Sequence, residues 1–64
     1  MNLRQIEFFR AVVSCGSIIG AAEALHVTPP GVSRMMKHLE GRLGVRLFER
    51  LHGRLVATPD AQRL

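Results

Sequence analysis

The chain has no tryptophan, no tyrosine and a single cysteine, Cys15. One cysteine excludes an internal disulfide and is consistent with a reducing compartment. Without tryptophan, the sequence lacks a strong anchor for laying an amphipathic helix on a lipid surface. No apolar run approaches the roughly 18 residues of a membrane span. The opening Met1-Asn2-Leu3-Arg4 lacks the charged-then-apolar order of a signal peptide. The expected location is therefore cytoplasmic, with no membrane partner. Internal repeats and low-complexity segments are also missing.

The groups that chemistry needs are equally sparse. His26, His38 and His52 with Cys15 show no zinc-binding spacing. Gly41 to Gly44 lacks the Gly-Lys-Ser/Thr of a phosphate loop, Ser33 sits in no nucleophile elbow, and no carboxylates pair up. A 64-residue domain also has little room for a lined pocket. The expectation is no catalysis, no metal and no cofactor within this chain.

What is present is enough apolar residue for one small core, 47% of the chain, and a net charge of +4 confined to one region. Between Thr28 and Arg54 lie Arg34, Lys37, Arg42, Arg46, Arg50 and Arg54 against only Glu40 and Glu49, while the charges outside that span cancel. A localised basic field suits a polyanion, because neutralising phosphates releases their counterions.

Periodicity and capping signals predict the elements. Asn2 caps a first helix, with Gln5 completing a capping box. Leu3, Ile6, Phe9 and Val13 form its apolar stripe, widened by Phe8 and Val12, and Gly16 ends it. Ser17 caps a second helix that buries Ile18, Ala21, Ala22 and Leu25. After a break at His26-Val27-Thr28, Thr28 caps a third helix with Pro29 at its first position. Its buried side carries Val32, Met36, Leu39 and Leu43; its opposite side carries Pro30, Arg34, Lys37, His38 and Gly41, flanked by Ser33. Two closely joined helices, the second presenting cations and hydroxyls, form the pattern of a helix-turn-helix DNA reader. Small residues among the cations let that face seat in a major groove about 12 Å wide.

Leu47 to Arg50 and Arg54 to Ala57 are expected to pair as a hairpin around Leu51-His52-Gly53, a wing with Arg50 at its base and Arg54 at its tip. Thr58-Pro59 starts a further helix over Ala61 to Leu64. A helix that short is not stable alone, so the chain reads as the front end of something longer. The expected fold is mainly α: a three-helix core plus a two-stranded β-hairpin, a winged helix-turn-helix over residues 1–58, with residues 59–64 beginning a linker helix.

The segments Ser17…Ala21-Ala22…Leu25-His26-Val27-Thr28, Pro30-Gly31-Val32-Ser33-Arg34, Leu39-Glu40, Leu43-Gly44-Val45, Leu47-Phe48-Glu49-Arg50 and Thr58-Pro59 closely resemble the N-terminal DNA-binding domain of LysR-type transcriptional regulators. The resemblance spans essentially the whole chain. It implies a double-stranded DNA operator as partner. It also implies a homodimer or homotetramer of the full-length protein through the linker helix, and a small-molecule effector bound only by a C-terminal domain beyond this chain. Carried over residue by residue, Thr28, Pro30, Ser33 and Arg34 match the family's reading helix, and Arg50 and Arg54 lie in its wing. Lys37 and His38 come from the helical wheel alone.

Three positions depart from the family's pattern. Pro29 stands where a base-reading glutamine is usual; its ring offers a thymine methyl an apolar contact but no hydrogen bond, so specificity at one base position is expected to relax. Ala61 replaces a usual glycine and favours helix there, and Gly31 replaces a usual alanine and weakens the reading helix slightly. The rival reading is a helix-turn-helix module that contacts proteins without reading DNA; the concentration of cations on the third helix and the wing argues against it.

Overall fold

The computed structural model describes residues 2–63. Leu64, which the sequence assigns to the last helix, lies outside them. Four helices and one hairpin follow in the order α1 (Leu3–Cys15), α2 (Ile18–Leu25), α3 (Pro29–Leu43), β1 (Phe48–Leu51), β2 (Arg54–Ala57) and α4 (Pro59–Gln62).

Each helix starts where a side chain can satisfy an orphan amide. At α1 the capping box is reciprocal: Gln5 N–H donates to Asn2 Oδ1 at 2.8 Å and Asn2 N–H to Gln5 Oε1 at 3.0 Å. Ser17 Oγ accepts from Gly20 N–H at 3.0 Å, and Thr28 Oγ1 from Gly31 N–H at 3.3 Å. α2 ends on His26, a left-handed residue with φ +59°. The Val27 N–H then reaches back to Ala22 O at 3.0 Å, and Val27 turns its side chain against the core. A side chain in the left-handed region costs roughly 1–2 kcal/mol, partly offset by the extra freedom glycine loses on folding. His26→Gly is therefore expected to stabilise the domain by about 0.5–1 kcal/mol, read as a higher urea midpoint at unchanged m-value.

The core gathers Phe8 and Val12 of α1, Ala21 and Ala22 of α2, Val32, Met36 and Leu39 of α3, and Leu47, Phe48 and Ala61 from the wing and α4. Ala21 and Ala22 are so small that α2 can approach its neighbours closely, and both are buried. The stripe of α1 is narrower than its sequence suggests. Phe8 and Val12 are its centre, whereas Leu3 is 72% exposed and Val13 lies at the surface. Six apolar residues spread around a helix exceed what one line of contact covers, and α2 and α3 settle on the Phe8–Val12 line. Phe9, at its edge, packs its ring against Phe48 with centroids 5.3 Å apart, which ties α1 to the wing.

The hairpin differs from expectation by one residue. β1 starts at Phe48, after a fully buried Leu47, and the turn is only His52-Gly53. Both turn residues have positive φ, +52° and +77°, the requirement of a two-residue type I′ turn whose twist matches the strands. Leu51 thus joins the strand and pairs with Arg54, and Arg50 pairs with Leu55. Arg50 sits one pair back from the tip, not at the base, which is the Phe48–Ala57 pair.

Two polar groups lock the wing's base to α3 and α4. The Glu40 carboxylate of α3 accepts the Leu47 N–H at 2.7 Å. The buried Thr58 hydroxyl donates to Arg46 O and accepts from Ala61 N–H, while its own N–H donates to Leu47 O at 3.0 Å. With Ala61 buried, the start of α4 is part of the packed domain.

Candidate nucleic-acid interface

The exposed side of α3 follows from its helical period. Residues three and four apart share a face, and Pro30, Arg34, Lys37, His38 and Gly41 are all exposed while Val32, Met36 and Leu39 face inward. Ser33 is half-buried at the edge of this face, with Thr28 and Pro29 exposed at its start. The structure therefore brings together five of the residues expected from sequence on one side of α3, with Ser33 flanking them and Thr28 and Pro29 exposed at the helix start. Gly41 carries no side chain and extends the face flat toward the helix end.

The start of α3 constrains what that face can do. A helix N-terminus ordinarily offers free backbone amides to an anion. Here Pro29 and Pro30 have no N–H, Gly31 N–H is taken by Thr28 Oγ1, and Val32 N–H by Thr28 O at 3.2 Å. Within the first turn, residues 29–32, contacts must therefore come from side chains, joined by the Thr28 hydroxyl proton at the cap and by Ser33 and Arg34 beyond it. Gly31 also has a local reason to be small, because a β-carbon there would lie 3.1 Å from Thr28 Oγ1, the atom that caps the helix. An alanine would regain helix propensity but crowd the cap.

The cations are available to an outside partner. Among the described residues the one ion pair within 4 Å joins Arg63 to Asp60 at 3.8 Å, at the surface of α4. Glu40, the carboxylate on α3 itself, is turned to the Leu47 amide. Arg34, Lys37, Arg42, Arg46, Arg50 and Arg54 are exposed and hold no such pair, so their field points into solvent.

The wing carries Arg50 and Arg54 near its tip on adjacent cross-strand pairs. They are not equivalent. Arg50 is exposed on the strand, whereas the Arg54 guanidinium folds back over Gly16 at the α1–α2 junction. Sequence reasoning found the cations but neither this contact nor the Glu40–Leu47 bond that holds the wing to α3 and the Thr58–Arg46 bond that closes its base. Those bonds join residues whose spacing has no local signature.

No helix among the described residues is long and apolar enough to cross a membrane, and no three of their His, Cys, Asp and Glu side chains gather as a metal site would require.

Residues 3–62 match the family model described as the bacterial regulatory helix-turn-helix protein, lysR family. The HTH-type transcriptional regulator DgcR of Pseudoalteromonas sp. is 52% identical over all 64 residues, and the chain spans 22% of that relative's length. Among solved structures, the CbnR_DBD–DNA complex superimposes with a TM-score of 0.87 at 40% identity, covering 98% of this chain and 72% of that one. The BenM_DBD complex with catB site 1 DNA superimposes with a TM-score of 0.89 at 36% identity, covering 98% and 68%.

Proposed function

Since the chain belongs to the LysR family of bacterial helix-turn-helix regulators, we propose that it binds double-stranded DNA sequence-specifically, α3 lying in the major groove and the wing on the flanking backbone or minor groove. The observation that carries this reading is the exposed face of α3, whose cations have no internal partners and whose N-terminal turn leaves recognition to side chains. Two neighbours of the same fold are complexes with DNA.

The roles divide by reach and chemistry. Lys37 is a compact point charge about two turns into α3 and one turn beyond Arg34, suited to phosphate, as are Arg50 and Arg54 on the wing. Ser33 and Arg34 lie closer to the helix start, where base edges are read. Thr28, Pro29 and Pro30 form the leading end, with the Pro29 ring offering apolar contact to a thymine methyl. His38 extends the face beside Lys37. We place the end of the winged helix-turn-helix at Thr58 and take residues 59–64 as the opening of a linker helix whose first turn packs into the same core through Ala61. For the full-length protein we propose a cytoplasmic regulator that pairs through that helix as a homodimer or homotetramer and takes its effector in a separate domain, so that this chain needs no cofactor. A lone copy reads one half-site and binds loosely.

A salt-titrated binding assay on selected and random duplexes tests the reading. Selected duplex should bind more tightly at every salt concentration; equal affinity for both would reduce the domain to a non-specific polycation. Lys37→Ala is expected to weaken binding to both duplexes alike and to flatten the slope of log K against log salt by about one unit. An unchanged slope would take Lys37 out of the interface.

A further inference from the structure

The wing meets the rest of the domain at one glycine. Gly16 closes α1 with φ +74°. Its carbonyl accepts the Leu55 N–H at 2.9 Å, so that β2 lies between β1 and the α1–α2 junction. The side chain of Arg54, the preceding residue, reaches the same place. A β-carbon on Gly16 would stand 2.5 Å from Arg54 Cζ and Nη2 and 2.8 Å from Nε, closer than atoms approach. Gly16 is buried beneath a residue that is itself exposed, and no carboxylate among the described residues pairs with that guanidinium.

We infer that Gly16 is a positioning residue for the wing's DNA contact: its missing side chain forms the seat that orders the Arg54 guanidinium. The inference rests on the reading of α3 and the wing as a DNA interface. A guanidinium is planar and weakly hydrated, so it can rest against a peptide and keep N–H groups free for a phosphate. A side chain ordered before contact also loses less rotamer freedom on binding. Glycine thus serves position 16 twice, through its positive φ and through the space it leaves, and the two uses separate experimentally. Asparagine tolerates the left-handed region yet carries a β-carbon. The atoms such a carbon meets are the far end of Arg54, so the guanidinium moves and the backbone stays.

The experiment measures duplex binding over a salt series for the unsubstituted chain, Gly16→Asn, Arg54→Ala and the double variant, with circular dichroism checking the fold. Gly16→Asn should keep its helical spectrum and lower the slope of log K against log salt by about 0.9, the value of one phosphate contact. Arg54→Ala should match it, and the double variant should fall no further. A folded Gly16→Asn with the parent slope, or losses that add in the double variant, would overturn the inference and leave Gly16 a backbone role only. A second readout needs no substitution at position 16. The NMR order parameter of the Arg54 Nε–H vector should be higher than that of Arg50 Nε–H, and equal values would also overturn the seat. A parent chain whose duplex binding shows no salt dependence would instead remove the DNA reading itself.

Discussion

Arg34→Ala is expected to cut the ratio of affinities for selected over random duplex by about tenfold or more, with a smaller loss on random DNA. Arg34 lies on the outer side of α3, exposed and without a carboxylate partner among the described residues. It is six residues into the helix counted from Pro29, about 7.5 Å along the axis at 1.5 Å per residue. That places it within the leading end of a reading helix, where base edges come within reach. A guanidinium that meets a guanine edge with two parallel hydrogen bonds discriminates by about 1–3 kcal/mol, and each 1.4 kcal/mol is tenfold in affinity. The weight on Arg34 is greater here because Pro29 supplies no hydrogen bond and residues 29–32 of the first turn offer no free backbone amide. Arg34→Lys should recover the affinity for random DNA but not the ratio, since an ammonium holds charge without the fork. Equal losses on both duplexes would move Arg34 among the phosphate contacts.

Leu39→Ala is expected to cost about 2–5 kcal/mol, the range for truncating a leucine inside a packed core. Leu39 is 2% exposed and among the largest fully buried side chains, on the inner face of α3 with Val32 and Met36. A domain of this length has roughly 3–10 kcal/mol of stability in all, so this one change consumes much or all of it. The cooperative thermal transition should fall sharply or vanish, and DNA binding should go with it because α3 then has no platform. Two controls isolate the cause. Leu39→Met keeps the volume and should cost less than about 1.5 kcal/mol. Leu3→Ala, at a site 72% exposed, should stay within about 0.5 kcal/mol of the parent. A mild effect at Leu39 equal to that at Leu3 would show that the core is not organised around α3.

The pair Leu39 and Leu3 also marks where sequence reading stops. Both belong to apolar stripes at helical spacing, and nothing local separates them. Leu39 falls on a stripe bounded by cations, so its face is decided by its own helix. Leu3 falls on a stripe wide enough to be turned either way, and the packing of α2 and α3 against Phe8 and Val12 decides it. The hairpin shows the same division. Gly53 marks a turn, but histidine is an uncommon choice for the preceding left-handed position, so the two-residue turn and the place of Arg50 were not legible.

By itself the sequence determined what acts within about four residues. Asn2 with Gln5, Ser17, Thr28 with Pro29, and Thr58 with Pro59 set the helix starts, because a cap and the amide it satisfies lie in one turn. The 3.6-residue period separated the cationic face of α3 from its apolar face for the same reason. Only the tertiary structure decided what depends on residues far apart in the chain: the Glu40 carboxylate on the Leu47 amide, the Thr58 hydroxyl on Arg46 O, and the Arg54 guanidinium over Gly16. Such contacts form where packed helices and the wing bring distant groups within hydrogen-bonding or van der Waals distance, and no spacing along the chain encodes that approach.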